Sequence, residues 1–206
     1  MSLVRNSLIL VFFAVAFLAT GSIASDAKVI VKQNTKYYSV KGLNGLEISK
    51  AMLVGGKKNI NLRHAIAATA TSFKFTNSKV KVDGRKCKLE SIDINLSITY
   101  YYPKWQGRNQ AGANVRRAWD VFYKELLRHE QTHGKIAIDF ANQLEREMLK
   151  MSGNVVAGCR DFGSTAIFKL KSLSNQLKQK QAAFDRLEER STSKISRLQI
   201  ALLKSK

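Results

Sequence analysis

From Leu89 to Ile98 the chain alternates, with apolar Leu89, Ile92, Ile94, Leu96 and Ile98 set among Asp93, Asn95, Ser97 and Thr99. That period of two predicts a strand with one buried and one wet face. The strand runs into Tyr100-Tyr101-Tyr102 and is expected to stop at Pro103, the single proline of the chain, where a ladder would lose a donor. From Ala113 the period changes. Val115, Trp119, Phe122, Leu126, Ala137, Phe140, Leu144 and Met148 predict one long amphipathic helix, ending at Ser152-Gly153-Asn154, where Gly153 can take the left-handed terminal position. A further stripe at Leu170, Leu173, Leu177, Phe184, Leu187, Ile195, Leu198 and Leu202 predicts one C-terminal amphipathic helix over Thr165 to Leu203, dense in lysine and arginine on its other faces.

Upstream the pattern is weaker. Val29-Ile30-Val31 and Tyr37-Tyr38 with Val40 read as two short strands parted by Gln33-Asn34-Thr35. Leu43 to Leu53 has helical spacing and is expected to end at Gly55-Gly56. Ala68 to Phe75 reads as a strand with Lys79 to Val82 as its hairpin partner, and Asp83-Gly84 is a strong turn signal. The expected class is α+β: an antiparallel or mixed sheet packed on the long helix, plus a separate C-terminal helix.

Residues 1–24 carry Arg5, an apolar run from Leu8 to Ala19, and small residues at Ser22 and Ala24. This is the layout of a cleaved export signal, and the run is shorter than the roughly 20 residues a membrane span needs. The remaining chain is expected to form one domain over residues 25–163 and a basic helical tail over 164–206. Export to the periplasm or the outside favours a bond between the two cysteines, Cys87 and Cys159, contributing about 3 to 5 kcal/mol in the chain-entropy account. The formal net charge of +20 implies attraction to anionic surfaces. For an exported chain these are envelope headgroups or wall polymers rather than nucleic acid.

Chemistry concentrates on the long helix. His129 and His133 fill the gap that its apolar stripe leaves between Leu126 and Ala137, so both are expected to point inward. Spacing of four brings both imidazoles to one face, within reach of one metal ion, and Glu130 stands beside them as a general base. Zinc is the expected ion, and peptide-bond hydrolysis the chemistry such parts perform.

The His129-Glu130-Gln131-Thr132-His133 run resembles that of the zincin metallopeptidases. Together with the signal segment, Tyr38-Ser39-Val40-Lys41-Gly42, the Ala68 to Phe75 strand, the Cys87 strand, Trp119 and the cysteine after the helix, the chain resembles an uncharacterised bacterial family of predicted secreted zinc-dependent proteases. The resemblance covers roughly Tyr37 to Cys159. It implies a zincin-like fold, zinc ligation by His129 and His133, and a catalytic Glu130.

The third ligand is open. Asp139 would point away on a continuing helix, and Glu145 and Glu147 lie too far along it. Asp161 ranks first, because a Cys87–Cys159 bond would hold its segment near the sheet, and His64 second. Tyr100, Tyr101, Tyr102 and Tyr123 are candidate oxyanion stabilisers. The Ala68 to Phe75 strand, if at a sheet edge, could pair with an extended peptide or protein substrate. The tail is expected to pack on the long helix or to mediate self-association, ahead of resting on a membrane. The competing expectation is a non-catalytic basic envelope-binding protein with a structural metal or none.

Overall fold

A computed structural model describes residues 27–60, 65–83, 86–151, 159 and 162–206. The expected export signal, the Gly153 stop, and the candidate ligands Asp161 and His64 lie outside the described residues. The elements run β1 (Ala27–Val40), α1 (Gly45–Ile60), β2 (Ala68–Asp83), β3 (Lys86–Trp105), a 3-10 turn (Arg108–Gln110), α2 (Ala113–Lys150), α3 (Phe162–Glu188) and α4 (Lys194–Leu203). The class is α+β, with a three-stranded mixed sheet in the order β1-β3-β2 and four helices. β1 runs parallel to β3 and β2 antiparallel to it.

β3 takes the centre because it carries the longest clean alternation. Ile92, Ile94, Leu96, Ile98, Tyr100 and Tyr102 are buried under α2, while Asp93, Asn95, Ser97, Thr99 and Tyr101 take the other face. Burying each aliphatic of that row contributes about 1.5–3 kcal/mol. The partner stripe on α2 is Val115, Trp119, Phe122, Leu126, Ala137, Phe140, Ala141, Leu144 and Met148. Phe140 meets Phe73 of β2 edge-on at 5.3 Å.

Several local expectations are corrected. β3 does not end at Pro103 but continues to Trp105. β2 pairs with it only as far as Tyr101, so β3 is open on that side where the proline stands, the setting in which its missing donor is tolerated. β1 is one unbroken strand through Gln33-Asn34-Thr35, because those residues sit in register against Ile98, Thr99 and Tyr100. Lys79 to Val82 is no hairpin partner of Ala68 to Phe75 but the continuation of the same strand past a bulge, at which Asn77 takes φ 52°. The hairpin instead joins β2 to β3, with Asp83 opposite Lys86.

α1 runs through Gly55-Gly56 rather than stopping there. The two glycines serve close approach: a Cβ on Gly55 would stand 2.4 Å from the Tyr38 ring, and one on Gly56 would stand 1.8 Å from the Ala65 carbonyl oxygen. The Tyr38 hydroxyl bonds the carbonyls of Met52 and Ile66, so α1 is pinned across the end of β1. The C-terminal stripe forms two helices. α3 ends at Glu188, and Ser193 caps α4 by accepting from the Ser196 N–H at 3.1 Å. Leu173, Leu177 and Leu202 are buried, so α3 and α4 belong to the same core as α2. Cys87 and Cys159 are bonded across 72 residues, which corresponds to about 4 kcal/mol of chain entropy.

Candidate metal centre

His129 and His133 lie one turn apart midway along α2, on the stripe that faces the C-terminal helices and β2. Their Nε2 atoms are 3.2 Å apart. Asp185, near the end of α3, brings Oδ1 to 2.8 Å from His133 Nε2 and 3.6 Å from His129 Nε2. Among the described residues these three form a cluster able to hold a metal ion. A tetrahedral site with bonds of about 2.0–2.1 Å places neighbouring ligand atoms about 3.3 Å apart, and the three observed separations bracket that value. The donor set of two imidazoles and a carboxylate suits zinc, leaving a fourth position open.

The electrostatics favour the neutral, ligating form of the His129 ring. Burial pushes the His129 imidazole below its ordinary pKa and His133 pushes the same way, against Asp185 and Glu188. His129 Nδ1 is buried without a hydrogen-bond partner, its nearest carboxylate being Glu188 Oε2 at 3.6 Å. Phe184 packs 5.0 Å from both rings, tilted on His129 and edge-on to His133, and so shields one side of the pair.

Glu130 is almost fully buried. Thr69, two residues into β2, donates its hydroxyl to Glu130 Oε2 at 2.7 Å and lies 3.0 Å from the Glu130 carbonyl. Burial raises the Glu130 pKa, opposed by the Thr69 hydrogen bond and by His133. Below the helix, Tyr100 reaches Gly134, where a Cβ would stand 2.1 Å from its hydroxyl. Tyr100 donates to Gln33 Oε1 at 3.1 Å. Burial, and then the Glu130 carboxylate, hold its phenol above the ordinary pKa, so it remains a donor at neutral pH. Tyr102 is buried in the row beside it, Tyr123 stacks on Trp119, and Tyr101 faces the opposite side of the sheet under Lys36, away from the centre.

An ion network ties α3 and α4 to this stretch of α2. Arg128 bridges Glu125 and Glu188, and Lys194 of α4 reaches Glu125 at 2.7 Å. Burial raises the Glu125 pKa, but hydrogen bonds from Lys194 and Arg128 outweigh it and hold the carboxylate ionised. Asp139 is spent on Lys135 and Glu147 on Lys150 and Lys169, both away from the histidines.

The candidate ligand that sequence reasoning missed is Asp185. A signal for it existed, since the three acids of the basic tail, Asp185, Glu188 and Glu189, fall within five positions, and Asp185 lies next to Phe184 of the apolar stripe.

An α+β domain with a histidine-rich candidate metal centre is thus the class this chain defines. The chain belongs to the family described as “Bacterial protein of unknown function (DUF922)”, which matches residues 35–191 and so takes in β2, α2 and α3 with all the residues of the centre. No curated protein and no solved structure matches it.

Proposed function

We propose that this chain is a zinc-dependent metallopeptidase acting outside the cytoplasm, with His129, His133 and Asp185 as ligands and a zincin-like packing of sheet on active helix. The observation that carries the reading is the convergence of two Nε2 atoms and one carboxylate oxygen at 2.8–3.6 Å, one residue from a buried glutamate. Zinc would supply the Lewis acidity that makes water a nucleophile at neutral pH. Glu130, held by Thr69, would act as the general base that accepts a proton from water and returns it to the leaving amine. Tyr100, whose hydroxyl packs against Gly134 next to His133 and keeps its proton at neutral pH, would be the donor to a developing oxyanion. β2 is an edge strand whose Thr69 touches Glu130, which supports pairing of an extended peptide along it. The disulfide is compatible with an oxidising compartment, and no described helix is long and apolar enough to cross a membrane.

The test is metal content followed by Glu130→Gln. The purified chain should carry one zinc, and the variant should keep it while losing peptidase activity by about 10²–10⁴-fold. A chain without stoichiometric zinc, or an equally active variant, sinks the reading.

A second reading, a basic envelope-binding protein, is favoured by one surface. The sheet face opposite α2 exposes Lys28, Lys32 and Lys36 on β1 and Lys74, Lys79 and Lys81 on β2, and none of them has a carboxylate partner among the described residues.

A further inference from the structure

Gln181 stands one turn before Asp185 on α3, and its amide is engaged at both ends. Its Nε2 donates to the His133 backbone carbonyl at 3.1 Å. A carbonyl only accepts, so the nitrogen of the amide is the atom turned towards it, and the oxygen is the atom left facing the imidazole. That oxygen lies 2.5 Å from His133 Nδ1. An amide oxygen carries no proton, so the proton of this bond belongs to Nδ1. In the neutral ring that ligates a metal the Nε2 lone pair is then free, and it is aimed at the point on which His129 Nε2 and Asp185 Oδ1 also converge.

We infer that Gln181 is a positioning residue that fixes the His133 tautomer and ring orientation so that Nε2 faces the metal. The inference rests on the zinc reading of the centre and adds to it a group that touches neither metal nor substrate. Residues that accept from the remote nitrogen of a ligating histidine set the ring's orientation and raise its basicity, and their loss typically weakens metal binding about 10–100-fold. The same face of α3 thus presents, four residues apart, the group that orients one ligand and the carboxylate that is itself a ligand. Docking of α3 and assembly of the centre are therefore one event.

The test uses the full mature chain with zinc alone and chelator competition as the readout. Gln181→Met keeps the length of the side chain and removes both polar atoms, and zinc affinity should fall at least 10-fold with unchanged circular dichroism. Gln181→Glu keeps an acceptor towards Nδ1 and should bind zinc within about 3-fold of the parent. In the zinc-loaded parent, long-range ¹H–¹⁵N spectra of the histidines should show His133 bound through Nε2 with its proton on Nδ1. Parent-like affinity in Gln181→Met, equal losses in the Met and Glu variants, or ligation through His133 Nδ1 overturns the inference while leaving the zinc reading standing. A parent chain that binds no zinc overturns both.

Discussion

Gly134 shows how much a single missing methyl can decide. It follows His133 on α2, where an alanine would ordinarily stabilise a helix by about 1 kcal/mol. Here the space for a Cβ is taken by the Tyr100 hydroxyl, which is hydrogen-bonded to Gln33 on β1 and buried against the sheet. Gly134→Ala must therefore push Tyr100 aside or lift α2, and overpacking of this kind costs about 1–3 kcal/mol, more than the propensity gain. Chemical denaturation should show a net loss of stability, whereas a more stable variant would mean that Tyr100 moves freely. The double variant Gly134→Ala, Tyr100→Phe removes the obstructing oxygen and should recover most of the loss. His129, Glu130 and His133 were legible as a candidate site in the sequence, because two scarce histidines occupy a helical face that is otherwise apolar. Thr69 was not legible as a partner of Glu130, and Tyr100 was legible only as one of four candidate tyrosines. Their partners lie 61 residues away for Thr69 and 67 for Tyr100, and only the packing of β2 on α2 and the register of β1 on β3 bring them together.

At the scale of elements, strong periodicity was readable and interruptions were misleading. α2 and the core of β3 follow from their spacing, since each buries one continuous apolar face. The glycines in α1 read as a stop and are contact points, and the polar Gln33-Asn34-Thr35 reads as a break although an edge strand needs only its backbone to pair. The break between α3 and α4 hides inside an apolar stripe that runs on through both. The same stripe concealed the candidate third ligand, because Asp185 sits beside the apolar residues by which α3 packs on α2. Loss of that ligand separates metal binding from folding. Asp185→Asn keeps the shape but removes the charge, so zinc dissociation should rise by at least about 10-fold in chelator competition. The fold should remain, since Leu173, Leu177 and the Arg128–Glu188 pair still hold α3. Unchanged zinc affinity in Asp185→Asn would remove α3 from the centre.

At the scale of the whole molecule, basic residues stand exposed on both the helical side and the open face of the sheet. On the helical side some basic groups meet acids, Arg108 pairing with Asp120, Arg128 with Glu125 and Glu188, Lys135 with Asp139, and Lys169 with Glu147, while Lys171, Lys178, Lys180, Arg186, Arg190 and Arg197 are exposed with no carboxylate partner among the described residues. On the open face of the sheet Lys28, Lys32, Lys36, Lys74, Lys79 and Lys81 stand exposed around Asp93, whose carboxylate takes the Asn77 amide. Part of the formal net charge of +20 is therefore expressed on the sheet face turned away from the candidate centre. Such a surface matches an anionic bilayer, where each lysine near the headgroups contributes about 1 kcal/mol. Replacing Lys32, Lys36, Lys74 and Lys81 by glutamine should reduce binding to phosphatidylglycerol vesicles by about 10³-fold by that measure. The parent's binding should itself weaken in high salt, because exposed charges are screened within a Debye length. Neutral phosphatidylcholine vesicles should bind neither form, and zinc affinity should be the same in both, since the four lysines touch no residue of the centre. Equal vesicle binding by parent and variant would move the anionic contact to another surface. It would also leave the open face as a solvated side of the sheet.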